Sequence, residues 1–485
     1  MNNPLRKLVG QTAIYGLSSI VGRLLNYLLV PLYTYKFANA ADYGVVSELY
    51  AWVAFLVVLL SFGMETTYFR FSKETENEKE VFNCGFLTLL VVNLSFLLFI
   101  FILHQPIANA MLFNDHPEYI ILLSLIVVLD GLSVLPLARL RAKEKAMKFA
   151  AINFTAIIVN ISLNLFFLLV LFDPANPEQG ILYILLANLI ASALKPIILI
   201  KDFFKIHFNP DWSLIRRMLL FSSPLVLAGF AGIINETLDR ILLKQILYNP
   251  SNPDSLKIAE AQVGIYSACY KLAMLVTIII QAFRYAAEPF FFTHQDNEKK
   301  NQIYVRIMNY FFGFLCLIFL GVTMNIDVLK YFIQNETYWE GLGVVPILLI
   351  ANIFLGVYYN QSIWYKLSDK TKFGAIIAFS GAILTILINL LFIPKYGYWA
   401  SAWATLIAYG FQMIFSYILG QRYYPIPYNI GKLSIYFGGC FIFYFTFSKI
   451  NFEVQFLNYL FKNSSLILFA FFFLVIEKFW KEKQS

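Results

Sequence analysis

Fourteen apolar stretches, each long enough to cross a lipid bilayer, alternate along this chain with short polar segments. A membrane-spanning helix needs about 20 mostly apolar residues, and windows of that kind fill the chain from Val9 to Ile476. The pattern predicts an all-α polytopic membrane protein with about 14 transmembrane helices. The predicted spans are residues 9–35, 43–68, 82–103, 118–138, 149–172, 180–200, 218–242, 262–291, 304–325, 341–365, 373–393, 398–420, 433–449 and 457–476.

The basic residues fall mainly on one side of these spans. If both termini are cytoplasmic, the cytoplasmic tails and loops contain 25 of the 37 lysines and arginines, whereas the opposite face contains eight. Loops 104–117 and 173–179, on that opposite face, contain no lysine or arginine. This is the positive-inside pattern. It predicts an even number of spans with both termini in the cytoplasm.

Composition excludes an ordinary soluble domain and a nucleic-acid-binding protein. The chain is 59% hydrophobic and 14% charged, far from the balance of soluble domains. Cytoplasmic loops that face anionic headgroups account for the net charge of +8, so we expect membrane lipids and no nucleic acid as partners. The four cysteines are widely spaced within predicted helices, which disfavours a disulfide or zinc framework.

The chain also resembles itself at a spacing of about 220 residues. Residues 42–47 (DYGVVS), followed by Tyr50, match residues 262–267 (QVGIYS), followed by Tyr270. Three further matches occur in the same order: 22–25 with 239–242, 148–152 with 372–376, and 164–165 with 389–390.

Six spans separate the two copies, so both copies begin on the same side of the membrane. They predict parallel repeats related by an axis along the membrane normal, with a central cavity between two six-helix lobes. We place the N-terminal lobe at 1–205, the C-terminal lobe at 206–425, and two additional transmembrane helices with a cytoplasmic tail at 426–485. Such a layout is typical of a carrier that works by alternating access.

Charged side chains inside the predicted spans are the candidate functional residues. A charge at the centre of a membrane helix costs ~2.5–3.5 kcal/mol on insertion scales, so each one is a functional hypothesis. Within the spans or at their ends lie Arg23, Glu65, Arg70, Asp130, Lys195, Glu236, Asp239, Arg240, Lys244, Lys271, Arg284 and Glu288.

Some of these charges have a structural explanation. Arg240 with Glu236, and Arg284 with Glu288, are spaced i,i+4 and can neutralise each other on one helix face. The alternative is that these side chains act on a substrate or an ion.

Other charges have no such partner. Lys244 and Glu65 lie near helix ends, where we expect them to extend to an interface. Arg23 and Lys271 have no opposite charge at helical spacing in their own helices, so we expect both to line a cavity.

Motifs for catalysis or cofactor binding are missing from the sequence. It contains no Walker A loop, no His-Glu-x-x-His pattern and no Cys-x-x-Cys pattern. We therefore expect neither direct ATP drive, nor a bound cofactor or metal, nor enzymatic activity.

Several short segments carry a resemblance to a known family. They are Ser61–Glu65 with Phe69–Phe71, Asp239-Arg240, Val263–Ala268, Glu288–Phe290, and Asn389–Pro394 followed by Tyr396–Ala400. In their order and spacing, over nearly the whole chain, they resemble the polysaccharide flippases of the multidrug/oligosaccharidyl-lipid/polysaccharide exporter superfamily.

The resemblance implies a flippase of a bacterial cytoplasmic (inner) membrane. It would move an undecaprenyl-diphosphate-linked O-antigen, capsule or exopolysaccharide unit from the cytoplasmic to the outer leaflet, with an ion gradient or the membrane potential as the driving force. Polysaccharide-assembly proteins would be its partners.

The resemblance also suggests a role for each candidate residue. Fixed cations in the cavity would bind the diphosphate, a role we assign to Arg23, Lys271, Arg240 and Lys195. Asp130, Glu236 and Asp239 would bind a coupling proton or sodium ion, or balance the cations. Glu65, Arg70, Arg284 and Glu288 would form gate or helix-end ion pairs.

Three alternatives stay open from sequence. Fourteen spans also resemble the related lipid II flippases, which act in peptidoglycan synthesis. A drug/cation antiporter of the same superfamily would normally have twelve spans and no cationic cavity. A membrane-embedded glycan polymerase or ligase would be expected to carry a sizeable outer loop with catalytic residues, whereas the longest outer loop here is 243–261.

Overall fold

The computed structural model describes residues 20–74, 77–203, 207, 210–293, 300–368, 370–450 and 452–482. Within these ranges the chain is helical and forms no strand. Thirteen helices of the described part are long and apolar enough to cross a membrane. They correspond one to one with the second to fourteenth predicted spans, and the first predicted span begins outside the described residues. The predicted all-α polytopic fold is therefore confirmed.

The chain divides into two compact units, Met1–Gly264 and Ile265–Ser485. The predicted lobes 1–205 and 206–425 are defined by the sequence repeat rather than by packing, and they stay a prediction. In the first unit, residues 20–27 are helical. The helices that follow are α1 (Leu29–Lys36), α2 (Ala40–Ser61), α3 (Met64–Glu74), α4 (Glu78–Ala110), α5 (Pro117–Ala142), α6 (Ala146–Phe166), α7 (Pro177–Ile198) and α8 (Trp212–Leu247).

Helix α9 (Ser255–Thr293) begins in the first unit and continues into the second. The remaining long helices are α10 (Lys300–Met324), α11 (Val345–Gln361), α12 (Lys372–Tyr396), α13 (Tyr398–Tyr423), α14 (Ile430–Ser448) and α15 (Gln455–Glu482). In the first unit α5 packs against α4 and α7, α6 packs on α7, and α8 packs on α2. In the second unit α13 packs against α11 and α12, and α10 packs against α14 and α15.

The predicted second span contains a turn. The side chain of Asn39 caps α2 by accepting a hydrogen bond from the amide of Ala41, and α2 ends at Ser61. Phe62 and Gly63 then adopt left-handed backbone angles, with φ of 48° and 62°. A non-glycine residue in this region carries a steric cost. The Ser61–Glu65 motif therefore corresponds to a break between α2 and α3.

The two copies of the repeated glycine motif meet in the first unit, where α2 crosses the start of α9. A Cβ atom on Gly44 would lie 1.9 Å from the carbonyl oxygen of Glu260, and one on Gly264 would lie 1.9 Å from the carbonyl oxygen of Ala40. In each pair the carbonyl belongs to the residue four positions before the partner glycine. The contact is thus locally two-fold symmetric, and glycine is required on both sides.

Candidate functional site

A polar cleft opens within the first unit between the helix of residues 20–27, α5, α6 and α7. Its cavity volume is about 250 Å³, slightly below the usual range of pockets that hold small ligands. Gly22 packs so closely on α6 that a Cβ there would lie 2.7 Å from the Ile157 side chain. The cleft is lined by Asn26, Asp130, Asn153, Ala156, Ile157, Asn160, Asn188, Ala191, Ser192 and Lys195.

Two sequence-predicted site residues meet in this cleft. The Nζ atom of Lys195 donates to Oδ1 of Asp130 at 2.8 Å, joining α7 to α5. Their side chains remain 22% and 26% exposed, so both can be reached from the cleft. The sequence predicted a diphosphate-binding cation and a separate acid that binds an ion or balances charge. The structure shows that the two form one neutral pair.

Amide side chains make up most of the remaining polar lining. Nδ2 of Asn160 lies 3.5 Å from Oδ1 of Asn26, and Nδ2 of Asn188 donates to the Tyr50 hydroxyl at 3.3 Å. Each amide presents both donors and an acceptor. The sequence analysis missed these residues. Asn153 and Asn160 are seven positions apart in an apolar helix, and this one-face spacing was the available signal.

Arg23 and Lys271 are placed in different units. Arg23 is exposed on the helix of residues 20–27, one turn before Asn26, and has no ion pair with another described residue. Lys271 is partly buried on α9 within the second unit. Their predicted joint role at a diphosphate stays a prediction.

Arg240 is held by its own helix. Its Nη1 atom donates to Oδ1 of Asp239 at 3.1 Å and to the backbone carbonyl of Glu236 at 2.7 Å. Asp239 and Arg240 are buried, whereas Glu236 is exposed. The predicted i,i+4 pairing of Arg240 with the Glu236 carboxylate is therefore corrected: the contact is with the carbonyl, and Asp239 supplies the counter-charge.

Ion pairs occur near the predicted cytoplasmic helix ends of the first unit. Glu65 accepts from Arg141 on α5 rather than extending alone to an interface. Arg70 pairs with Glu74 at 2.9 Å on α3, and both side chains are about half exposed. Arg139 bridges to Glu78 at 2.9 Å.

The other predicted helix-end pair belongs to the second unit. The Arg284 guanidinium lies 4.2 Å from the centroid of the Tyr359 ring, a cation–π contact. The Glu288 side chain lies outside the described residues. An Arg284–Glu288 pair stays a prediction.

Lys244 departs most clearly from expectation, because it does not extend to an interface. Its side chain is 0% exposed, and Nζ lies 2.9 Å from Glu48 Oε2 and 3.4 Å from Glu260 Oε1. Nζ also donates to the Met111 carbonyl at 3.1 Å and lies 3.5 Å from the centroid of the Phe113 ring. The expectation failed because α8 continues to Leu247 and places Lys244 inside the helix bundle.

Comparisons with known proteins agree with this architecture. Residues 8–295 match a family model described as "Polysaccharide biosynthesis protein". No curated protein sequence matches the chain significantly. A solved structure titled "Lipid II flippase MurJ, inward closed conformation" aligns with a TM-score of 0.74 and 14% identity, covering 96% of this chain and 98% of that one.

Two structures of another group align as well. An inward-facing multidrug resistance MATE family transporter of the MOP superfamily has a TM-score of 0.65 and 12% identity, covering 84% of this chain and 94% of its own. The MATE multidrug transporter DinF-BH in complex with R6G has a TM-score of 0.59 and 17% identity, covering 85% and 95%. At these identities the likeness concerns the fold.

Proposed function

This chain belongs to the polysaccharide biosynthesis protein family, and we propose that it is a flippase for an undecaprenyl-diphosphate-linked oligosaccharide. The cargo is an O-antigen, capsule or exopolysaccharide unit. It moves from the cytoplasmic to the outer leaflet of a bacterial cytoplasmic membrane by alternating access. The family and the multi-pass fold support a flippase or transporter of this superfamily.

The residues that line the polar cleft are the basis for the proposed cargo. Amides, a serine hydroxyl and one ion pair line a cavity of about 250 Å³ within a bundle of apolar helices. Polar groups at membrane depth are costly, so such a lining indicates a polar cargo. Amide donors and acceptors can replace the water around sugar hydroxyls, and the Lys195 ammonium can bind a phosphate.

The Asp130–Lys195 pair suggests how the diphosphate is admitted. Asp130 neutralises Lys195 in the cleft, and an incoming diphosphate oxygen would compete for the same ammonium. Arg23, one turn from Asn26, supplies a second cation near the cleft. With the cytoplasm negative, each anionic charge carried outward gains ~2.3 kcal/mol per 100 mV. The membrane potential therefore favours the proposed direction.

A lipid II flippase is the second candidate. The MurJ structure aligns with 96% of this chain, against 84% for the MATE transporter. The two flippase functions differ only in the sugars that the cleft receives. A cationic drug would be expected to bind an acidic and aromatic site, whereas this cleft is amide-lined and charge-balanced. A polymerase is disfavoured because α8 and α9 leave only residues 248–254 between them.

Transport in proteoliposomes tests the proposal. Protein is reconstituted with undecaprenyl-diphosphate oligosaccharide, and the glycan exposed on the outer leaflet is measured with an added glycosidase. We expect exposure above protein-free vesicles, at least a tenfold lower rate in Lys195→Met, and a wild-type rate in Lys145→Met, which changes an exposed loop lysine.

Lipid-linked saccharides from depleted cells identify the glycan. Accumulation of lipid II would identify the protein as a lipid II flippase. Accumulation of a lipid-linked glycan with other sugars would identify it as an O-antigen, capsule or exopolysaccharide flippase. Both proposed flippase functions would be refuted if the protein moved no glycan in vesicles but exported a cationic dye.

A further inference from the structure

The buried cluster around Lys244 joins three helices of the first unit. Glu48 comes from α2, Lys244 from α8 and Glu260 from α9. Their side chains are 1%, 0% and 12% exposed, so the cluster is closed except at Glu260. None of these three residues lines the polar cleft.

The charges of this cluster do not balance. One ammonium faces two carboxylates, at 2.9 Å and 3.4 Å. The other partners of Lys244, the Met111 carbonyl and the Phe113 ring, are neutral. If both carboxyl groups are ionised, one negative charge is buried without compensation. A buried charge of that kind is strongly unfavourable.

Two described donors contact Glu48. The Trp52 indole donates to Oε1 at 3.4 Å. Oε2 is buried and lies 2.9 Å from the Lys244 ammonium. Because the same ammonium also faces Glu260, its single charge cannot neutralise both carboxylates.

The surrounding ionisable groups do not supply the missing positive charge. Lys257 on α9 lies within electrostatic range of Asp42 on α2, which carries the opposite charge. Asp239 and Arg240 on α8 form a neutral pair. Tyr119 on α5 lies within electrostatic range of Glu260, together with Glu118 and Glu178. The His116 imidazole beside them already pairs with both of those carboxylates.

We propose that Glu48 and Glu260 share one exchangeable proton beside the Lys244 ammonium, and that this proton is the coupling ion. The proton passes from water to a carboxylate oxygen through Glu260, the exposed member of the cluster. Lys244 remains an ammonium throughout. The role of the proton as coupling ion rests on the proposed transport function. The existence of the proton site does not depend on that function.

The position of the two carboxylates links the proton to helix packing. Glu48 lies four residues after Gly44, and Glu260 lies four residues before Gly264, so both belong to the helices whose backbones meet at the glycines. Loss of the proton leaves two negative charges across this contact, and like charges repel. Occupancy by a proton therefore favours the close contact of α2 with the start of α9.

Infrared difference spectroscopy of the purified protein tests for the shared proton. At neutral pH we expect a carboxylic acid C=O band that shifts in D₂O. Glu48→Gln and Glu260→Gln should each abolish it, because the remaining carboxylate and ammonium balance without a proton. Lys244→Gln should double the band, since both carboxyl groups then require a proton. Asp254→Asn, at an exposed loop position, should leave it unchanged.

Several results would overturn the proposal. They are a wild-type spectrum without the band, loss of the band in only one glutamine variant, or its replacement by an ionised band in saturating sodium at constant pH. Size-exclusion profiles establish whether each variant is folded. If Lys244→Gln does not fold, the isosteric variants Glu48→Gln and Glu260→Gln decide whether the proton site exists. Glycan movement is measured separately, and Glu260→Gln should move glycan at a rate that no longer responds to a pH gradient.

Discussion

The contact between α2 and α9 permits a quantitative test of whether glycine is required on both helices. In Gly44→Ala the new Cβ would lie 1.9 Å from a backbone oxygen, and ordinary contact begins at 3.4 Å, so the two helices must separate by about 1.5 Å. No rotamer change relieves a clash between backbones. We expect Gly44→Ala and Gly264→Ala each to lose about 1–3 kcal/mol of unfolding free energy.

The double variant separates this explanation from a general intolerance of alanine. Once the helices have moved apart for one Cβ atom, the second finds the space already open. Gly44→Ala/Gly264→Ala should therefore lose about as much as one single variant, a coupling of about 1–3 kcal/mol. Gly232→Ala is the control, because no atom lies within 4 Å of its Cβ position. That variant should gain about 0.5–1 kcal/mol from helix propensity.

The measurement is unfolding by SDS titration in mixed micelles, followed by far-ultraviolet circular dichroism. The reasoning would be refuted if Gly44→Ala behaved like Gly232→Ala. The reasoning would also be refuted if the double variant lost the sum of the free energies lost by the two single variants. Such additivity would mean that the two substitutions do not act through one common separation of α2 and α9.

Two further predictions concern other ion pairs. Burial alone would lower the pKa of His116, but the carboxylates of Glu118 and Glu178 outweigh it and raise that pKa. These ion pairs stabilise the folded protein below about pH 6.5, and the stabilisation is lost as pH rises through the raised pKa. Solvent screening limits this contribution to about 0.5 kcal/mol. His116→Gln should remove this pH dependence from unfolding titrations, and an unchanged pH profile would contradict the assignment. In the second unit Lys432 pairs with Glu477 at 2.8 Å; Glu477→Leu should cost about 3 kcal/mol by leaving a buried ammonium, whereas Lys432→Leu/Glu477→Leu should cost less. A larger loss in the double variant would show that the pair itself is strongly stabilising.

The fold was predictable because a bilayer imposes one length and one polarity on every span. The thirteen spans that lie in the described residues were found from hydropathy alone, although most of their ends were placed inside the true helix ends. The clearest example is α8: its predicted span stopped at 242, whereas the helix continues to Leu247. Apolar content marks the hydrocarbon core of a span and not the polar turns that extend beyond it.

The site was less predictable because pairing between helices is set by rotation and depth. Sequence spacing suggested a pair of Arg240 with Glu236, yet the carboxylate that neutralises Arg240 belongs to Asp239. Asp130 and Lys195 were identified separately, but their contact spans 65 residues. Glu48 was missed altogether, although a carboxylate inside an apolar span was visible in the sequence.

The two ion-pair sites of the first unit differ in what can reach them, and this difference separates their proposed roles. Asp130 and Lys195 are each about one quarter exposed to an amide-lined cleft, so a large anionic headgroup can displace one partner. Lys244 is fully enclosed, and only Glu260 of its cluster is open to water. A diphosphate cannot enter that cluster, but a proton can. Separate sites for cargo and ion allow both to be bound at once, so each can change the affinity of the protein for the other.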